Sequence, residues 1–166
     1  MIQKKVCLLG ASSVGKTSLV RQFVEGIFDE KYLTTIGVKI DKKIVELTDH
    51  QVQFLIWDIE GVDQYAQFQQ RYLRGAAAVI IVVDQTRPQS LLDAIDIFTL
   101  VKQSISCPFI LALNKADLAE NLSCIEDKKE TFEKQFSFLY RTSAKTGDQV
   151  EQMFTELAEF LCKEAG

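Results

Sequence analysis

The 166-residue sequence lacks the features that mark several classes of protein. Its four cysteines form no Cys-x-x-Cys pair and no zinc-ligand spacing, so neither a zinc site nor a disulfide framework is indicated, and a reducing compartment fits best. No apolar run reaches the roughly 20 residues that a membrane-spanning helix needs. The net charge of −4 provides no basic footprint of the kind that binds nucleic acid. The composition therefore predicts a soluble globular protein with no nucleic acid as a partner.

The two ends of the sequence show no targeting signal. The start is not a signal peptide, and position 2 is not the glycine that myristoylation requires. Cys162 stands one position too early for a prenylation box, so we expect either no lipid anchor in this chain or a missing C-terminal tail. No linker, repeat or low-complexity tract divides the sequence. We therefore expect a single domain over residues 1–166, located in the cytoplasm and reaching a membrane only through a missing tail or a partner.

Residues 10–17, Gly-Ala-Ser-Ser-Val-Gly-Lys-Thr, have the spacing of a phosphate-binding loop. They follow a short apolar strand at about 4–9 and lead into a helical pattern at about 15–25. The two glycines allow successive backbone N–H groups to point into one concavity, and the positive end of the following helix adds to this anion site. Lys16 would place its charge on the outer phosphates, and the Thr17 hydroxyl can ligate a magnesium ion.

Strands and helices alternate along the rest of the chain. Segments 38–47 and 52–57 predict a hairpin, and the charges on its first strand are typical of a sheet edge. The runs 76–83 and 109–113 are almost continuously apolar, as in strands buried on both faces of a parallel sheet. A last strand is expected at 136–140. Helical patterns begin at Pro88, cover about 124–134 and close the chain from 147 to 163. This order predicts an α/β sheet whose ligands bind at the carboxyl ends of its strands.

Asp58 and Gly61 follow one of these strand ends. A carboxylate at this place, beside a phosphate loop, can hold magnesium through water. The N–H of Gly61 could approach a terminal phosphate with no Cβ in the way. By themselves the two residues also fit an ordinary strand end and turn.

Residues 114–117, Asn-Lys-Ala-Asp, end a buried strand about a hundred residues after the phosphate loop. Asp117 can accept two hydrogen bonds from the ring N–H and the exocyclic amine of guanine, whereas adenine offers no such pair of donors. The stem of Lys115 can lie over the base, and Asn114 can tie loops together. Residues 142–145, Thr-Ser-Ala-Lys, follow the next strand, where backbone N–H groups can meet the guanine oxygen. The pattern argues against an ATP-using P-loop enzyme, which is the third function we considered.

Taken together, these motifs resemble those of the small GTPases of the Ras superfamily, and most closely those of the Rab branch. Ser-Val-Gly-Lys-Thr-Ser-Leu-Val, Thr-Ile-Gly-Val, Trp-Asp, Tyr-Leu-Arg-Gly-Ala, Asn-Lys-Ala-Asp and Thr-Ser-Ala-Lys occur in the family's order over essentially the whole chain. The resemblance implies a P-loop NTPase G domain, with a six-stranded, mostly parallel sheet, one antiparallel edge strand and helices on both faces. It also implies a molecular switch that binds GTP or GDP with Mg²⁺ and hydrolyses GTP.

The resemblance also assigns roles to individual residues. Lys16, Thr35 and Gly61 would act on the phosphates during hydrolysis. Thr17, Thr35 and Asp58 would hold the metal, with Thr35 doing so only when GTP is bound. Segments 28–37 and 58–71 would be two switches, ordered by the terminal phosphate and its magnesium.

The nucleotide itself would contact residues from several loops. Phe28 would pack on the edge of the guanine and Tyr32 would lie over the phosphates, although an ordinary loop position remains open for both. The implied contacts are Ser13, Val14, Gly15, Lys16, Thr17, Ser18, Phe28, Tyr32, Thr35, Gly61, Asn114, Lys115, Asp117, Ser143, Ala144 and Lys145.

The second switch departs from the family's Asp-Thr-Ala-Gly-Gln. Val62 stands where a glutamine normally orients the attacking water, and valine has neither a donor nor an acceptor for that task. We therefore expect turnover at or below the family's intrinsic rate of roughly 10⁻⁴ per second. Glu60 replaces a small alanine, and it either points to solvent or orients water itself, while Gln64 is a stand-in only if the loop folds differently. The sequence identifies no arginine of this chain that would place its positive charge on the phosphates during hydrolysis.

Two functions therefore remain open from the sequence. One is a slow GTP-hydrolysing switch that an effector, an exchange factor and an activating protein would read and reset. The other is a hydrolysis-deficient GTP-binding scaffold or interaction module. The apolar candidates for a partner surface are Ile36, Val38, Ile40, Trp57 and Val62, of which Trp57 fits ordinary packing equally well.

Overall fold

The computed structural model describes residues 1–29, 37–59, 61 and 70–165. Over these residues, six strands form one sheet in the order β2-β3-β1-β4-β5-β6, in which β2 runs antiparallel to β3 at one edge and the other pairings are parallel. This confirms the predicted sheet with one antiparallel edge strand. The strands are β1 (Ile2–Leu9), β2 (Val38–Glu46), β3 (Gln51–Ile59), β4 (Ala78–Asp84), β5 (Phe109–Asn114) and β6 (Phe138–Arg141).

Helices cover both faces of the sheet, as the alternation of side chains along β1 shows. Val6 and Leu8 belong to one buried cluster, and Cys7 and Leu9 belong to the other. Because successive side chains of a strand point to opposite faces, the two clusters lie on opposite sides of the sheet. The first cluster includes residues of α1 (Lys16–Glu25) and α4 (Val150–Ala165), and the second includes residues of α2 (Pro88–Val101) and α3 (Glu126–Glu133).

The two helices on the first face are joined by aromatic packing. The ring of Phe23 on α1 stacks on that of Phe154 on α4, with the ring centroids 3.9 Å apart, and both side chains are buried. Truncating a buried phenylalanine costs about 3–5 kcal/mol, so this contact holds α1 firmly against α4.

The strand register places the functional segments at one edge of the sheet. Leu8 lies opposite Asp58, and Asp84 lies opposite Asn114. The parallel strands β1, β3, β4 and β5 therefore end at similar heights, and the loops that leave them meet above the same edge.

The predicted elements are confirmed, with shifts at their ends. The last strand begins at Phe138 rather than Phe136, because the ring of Phe136 packs within 5 Å of those of Phe98 and Phe132 on the second face. The last helix begins at Val150 rather than at residue 147, because Gly147 and Gln149 adopt left-handed φ angles of 83° and 57°. The hairpin is present, and its second strand continues through Asp58 to Ile59.

The cysteines are free thiols, as the sequence predicts. Cys7 is fully buried and Cys107 is partly buried against the second face. Burial raises the pKa of the Cys7 thiol to about 12 and that of Cys107 to about 11, so neither is a reactive thiolate at neutral pH.

Candidate functional site

The phosphate loop connects β1 to α1 and requires glycine at both ends. A Cβ on Gly10 would lie 2.6 Å from the carbonyl oxygen of Val82, and one on Gly15 would lie 2.3 Å from Nδ2 of Asn114. Gly15 also has a φ of 97°, which L side chains rarely adopt. The loop is therefore pressed against β4 and the end of β5, and its backbone curls immediately before the helix begins.

Lys16 lies along this loop and is buried, with only 6% of the residue exposed. Its ammonium donates hydrogen bonds to the carbonyl oxygens of Gly10, at 3.2 Å, and Ala11, at 3.0 Å. The cation is therefore held against the backbone of the phosphate loop, and its contact with outer phosphates remains a prediction.

Thr17 and Asp58 form the part of the site that suits a metal ion. The Thr17 hydroxyl donates to Oδ2 of Asp58 over 2.6 Å, and Asp58 is only 1% exposed. A hydroxyl and a carboxylate are the hard oxygen ligands that Mg²⁺ takes, together with phosphate and water. Among the residues that the structure describes, no group of three or more His, Cys, Asp or Glu side chains could hold a metal by itself. The donor set therefore fits a magnesium ion that shares its coordination with a phosphorylated ligand.

Asn114 joins segment 114–117 to the phosphate loop. It is the last residue of β5 and is 1% exposed. Its amide nitrogen donates to the carbonyl of Val14 at 2.9 Å, and its amide oxygen accepts a hydrogen bond from the Thr142 hydroxyl at 3.2 Å. One buried amide thus connects the end of β5 to the phosphate loop and to segment 142–145, which are far from each other in the sequence.

Asp117 is exposed, and a hydrogen bond to one of its two carboxylate oxygens orients the group. The hydroxyl of the buried Ser143 donates to Oδ1 of Asp117 at 2.8 Å. The same hydroxyl accepts from the backbone N–H of Thr146, which fixes its direction. An exposed carboxylate held in this way is suited to accept the paired donors of a guanine edge.

Lys115 connects the same segment to the phosphate loop by a second route. Its φ of 66° lies in the left-handed region, and its ammonium bonds to Oδ2 of Asp84 at 2.8 Å and to the carbonyl of Ser13 at 3.2 Å. The ammonium is thus bonded both to Asp84 and to the phosphate loop. The position of the Lys115 stem over a base remains a prediction.

The other predicted contacts occupy positions around this loop. Val14 and Ala144 are buried, Ser13 and Ser18 are half-buried, Phe28 is 38% exposed, and Lys145 is exposed. The carbonyl of Ala144 accepts a hydrogen bond from the Gln22 side chain on α1. Gln22 therefore ties the phosphate-loop helix to segment 142–145.

Gly61 belongs to the second predicted switch and lies directly against the phosphate loop. Its carbonyl accepts a hydrogen bond from the Ser12 hydroxyl at 3.2 Å, and a Cβ at this position would lie 2.7 Å from Cα of Ser12. Only glycine allows this approach. Tyr32, Thr35, Ile36, Glu60, Val62 and Gln64 lie outside the described residues.

Three residues with contacts in the site were missed by the sequence reasoning: Gln22, Asp84 and Arg87. Asp84 ends a buried strand, as Asn114 does, and that shared signal could have identified it. Gln22 and Arg87 stand in a helix and a loop without any motif, and only their contacts in the folded chain reveal them.

Comparison with known proteins places this arrangement in a family. The model of the Ras family matches residues 5–163. The chain is 37% identical over 164 residues to Ras-related protein Rab-30 of Homo sapiens, and to that of Mus musculus, covering 97% of this chain and 81% of each relative. It is 32% identical over 163 residues to Ras-related protein RabJ of Dictyostelium discoideum, covering 96% of this chain and 64% of that relative. None of the helices in the described part of the chain is long and apolar enough to cross a membrane.

Proposed function

This chain belongs to the Ras family, and from that premise we propose that it is a switch which binds GTP or GDP with magnesium, hydrolyses GTP slowly and signals through two nucleotide-sensitive loops. Membership of the family supports the general role of a GTP-binding switch. The metal, the slow rate and the two loops are the finer parts of the proposal.

The observation that carries the proposal is the direct connection between the base segment and the phosphate loop. Asn114 and Lys115 donate to the carbonyls of Val14 and Ser13, respectively. Asp117 and Ser143 lie beside this connection with an exposed carboxylate. A ligand with phosphates at one end and paired hydrogen-bond donors at the other, as in a guanine nucleotide, matches the two halves of the site.

Magnesium would be held by Thr17 and Asp58, joined by Thr35 in the GTP-bound state. When bound, the ion would neutralise charge on the phosphate oxygens. The Thr17 hydroxyl, now bonded to Asp58, would be oriented by that carboxylate towards the ion.

Gly61 would couple the phosphates to the second switch, segment 58–71. Its backbone already lies against Ser12 of the phosphate loop. A terminal phosphate would instead accept a hydrogen bond from the N–H of Gly61, so a bound nucleotide would change the position of this backbone and set that of the segment. The first switch, segment 28–37, would respond through Thr35.

The partners would read a surface beside these switches. Ile40 on the edge strand β2 is 47% exposed and lies opposite Trp57 in the β2–β3 register. Trp57 is half-buried, with the Lys5 ammonium 3.7 Å from its ring centroid and the ring of Tyr72 beside it. We propose that an effector, an exchange factor and an activating protein bind here, and that the protein works in the cytoplasm or at a membrane to which a tail or a partner brings it.

Competition binding tests the proposal. Fluorescent GDP is bound to the protein in magnesium buffer and displaced with GTP, GDP, ATP or ADP. We expect the guanine nucleotides to displace it at concentrations at least about a hundredfold lower, because adenine cannot satisfy Asp117. Asp117→Asn is the matched variant, and it should weaken GTP binding and admit xanthosine nucleotides. Equal affinities for GTP and ATP would contradict the guanine assignment.

The second candidate function is a GTP-binding scaffold without useful hydrolysis, and the observation that favours it is Val62 in place of glutamine. Single-turnover hydrolysis of pre-bound GTP separates the two functions. Slow release of phosphate, accelerated in Val62→Gln, supports the switch. No release over many hours, with Val62→Gln restoring turnover, supports the scaffold.

A further inference from the structure

Arg87 bridges the phosphate loop and a buried carboxylate. It lies in the loop between β4 and α2, immediately before Pro88. Its Nε bonds to Oδ2 of Asp84 at 3.0 Å, and its terminal nitrogen donates to the carbonyl of Ser12 at 2.8 Å. The planar guanidinium can make both contacts at once because its donors form a fixed fork.

Asp84 anchors two cations at the same oxygen. It is 1% exposed, and Lys115 bonds to the same Oδ2 at 2.8 Å. Burial alone would raise the pKa of Asp84, but the hydrogen bonds from Lys115 and Thr86 outweigh it and hold the pKa below its usual value. The carboxylate is therefore charged at neutral pH, and each of its two cations also bonds to a carbonyl of the phosphate loop.

With these contacts, five consecutive backbone carbonyls of the phosphate loop accept hydrogen bonds from side chains. The carbonyls of Gly10 and Ala11 accept from Lys16. The carbonyl of Ser13 accepts from Lys115, and the carbonyl of Val14 accepts from Asn114. The carbonyl of Ser12 is the remaining member of the run, and it accepts from Arg87. Lys16, Asn114 and Lys115 belong to the sequence motifs, whereas Arg87 belongs to none of them.

The direction of a carbonyl fixes that of the next N–H group, because the two belong to one planar trans peptide unit. Holding the Ser12 carbonyl therefore orients the N–H of Ser13 in the opposite direction. The same relation links the carbonyls of Ser13 and Val14 to the N–H groups of Val14 and Gly15. N–H groups of this loop are the proposed donors to phosphate oxygens.

We infer that Arg87 is a positioning residue for the phosphates of the nucleotide: anchored on Asp84, it holds the Ser12–Ser13 peptide in the orientation that binds phosphate. The inference rests on the proposed function. It predicts that Arg87 contributes to the binding of ligands that extend into the phosphate loop and contributes little to the binding of guanosine with a single phosphate.

The test compares the binding of GDP and GMP to the wild type and to Arg87→Lys. A lysine can keep the ion pair with Asp84 and thus the fold, but its single ammonium lacks the fork that also reaches Ser12. We expect the dissociation constant for GDP to rise about tenfold or more, as for the loss of a charge-assisted hydrogen bond. We expect the constant for GMP, measured by competition at millimolar concentrations, to change less than about twofold.

Arg21→Lys is the matched control, because Arg21 pairs with Glu25 on the exposed side of α1. It should leave both constants unchanged. Unchanged GDP binding in Arg87→Lys, or an equal loss for GDP and GMP, would overturn the role of Arg87 while leaving the proposed function intact. A wild type that binds no guanine nucleotide would overturn the proposed function, and this role with it.

Discussion

The Thr17 hydroxyl donates a 2.6 Å hydrogen bond to Oδ2 of Asp58, a residue 41 positions away in the sequence. The bond joins the first turn of α1, which follows the phosphate loop, to the end of β3. It brings together two oxygen atoms of the kind that magnesium prefers.

Replacing Thr17 tests the assignment of the metal site. Thr17→Asn puts an amide where the hydroxyl stands, so we expect the affinity for GTP to fall by at least tenfold and GDP or the empty state to be favoured. Thr17→Ser keeps the hydroxyl and should stay within about twofold of the wild type. Nucleotide release measured over a range of magnesium concentrations provides the readout. An unchanged affinity for GTP in Thr17→Asn would show that the metal is bound elsewhere.

Ser143 should contribute to nucleotide affinity through Asp117. Its hydroxyl is 2.8 Å from Oδ1 of Asp117, and hydrogen bonds to charged groups contribute about 1.5–3 kcal/mol. Ser143→Ala should therefore weaken GDP binding by about tenfold or more, without changing its dependence on magnesium. Thr99→Ala, which removes a hydroxyl bonded within the exposed part of α2, should have no effect. Equal GDP affinities for the two variants would contradict this role of Ser143.

A side chain at position 15 should destabilise the protein because of its contact with Asn114. A Cβ would lie 2.3 Å from Nδ2 of Asn114, whereas a Cβ on Gly26 would meet nothing within 4 Å. Both glycines have positive φ angles, so Gly15→Ala and Gly26→Ala share the backbone strain of about 1 kcal/mol. We expect Gly15→Ala to lose more unfolding free energy, by about 1–3 kcal/mol, and to release GDP faster. Chemical unfolding in the presence of GDP measures the difference, and equal losses would show that the contact with Asn114 is easily relieved.

The network around Asp84 should make stability depend on pH. Burial opposes ionisation, but the hydrogen bonds from Lys115 and Thr86 hold the pKa of Asp84 below its usual value. Because the folded pKa is below the unfolded one, the stabilisation is present above about pH 4 and is lost as the pH falls through the folded pKa. The difference in unfolding free energy between the wild type and Asp84→Asn should therefore be constant above about pH 5 and shrink below about pH 4. A difference that grows in acid would contradict the direction of this shift.

Periodicity and strand ends predicted most of the fold. The continuous apolar runs that became β4 and β5 identified the buried parallel strands, and the charged β2 identified the edge. The same pattern misplaced the start of β6, because Phe136 is apolar for a tertiary reason: its ring joins those of Phe98 and Phe132. Local pattern cannot separate an apolar residue within a strand from one that precedes it and packs on a helix.

Residues of the candidate site could be identified from the sequence where they lie in a short motif. They could not be identified where only a contact between distant parts of the chain brings them to the site. Lys16, Thr17, Asp58, Asn114 and Asp117 lie in short motifs at strand or helix ends, and the fold brings those ends together. Arg87 contacts a carbonyl 75 positions away, and Gln22 contacts one 122 positions away. Such contacts depend on the final packing of loops, for which the sequence carries no periodic signal.

The identity of the nucleotide that remains bound during purification tests the central claim most directly. The full chain is purified in magnesium buffer without added nucleotide, then denatured, and the released compounds are separated and quantified by chromatography. The proposed site, with guanine at Asp117 and the phosphates in the phosphate loop, predicts about one guanine nucleotide per chain, as GDP or GTP. Recovery of an adenine nucleotide in its place would contradict the account.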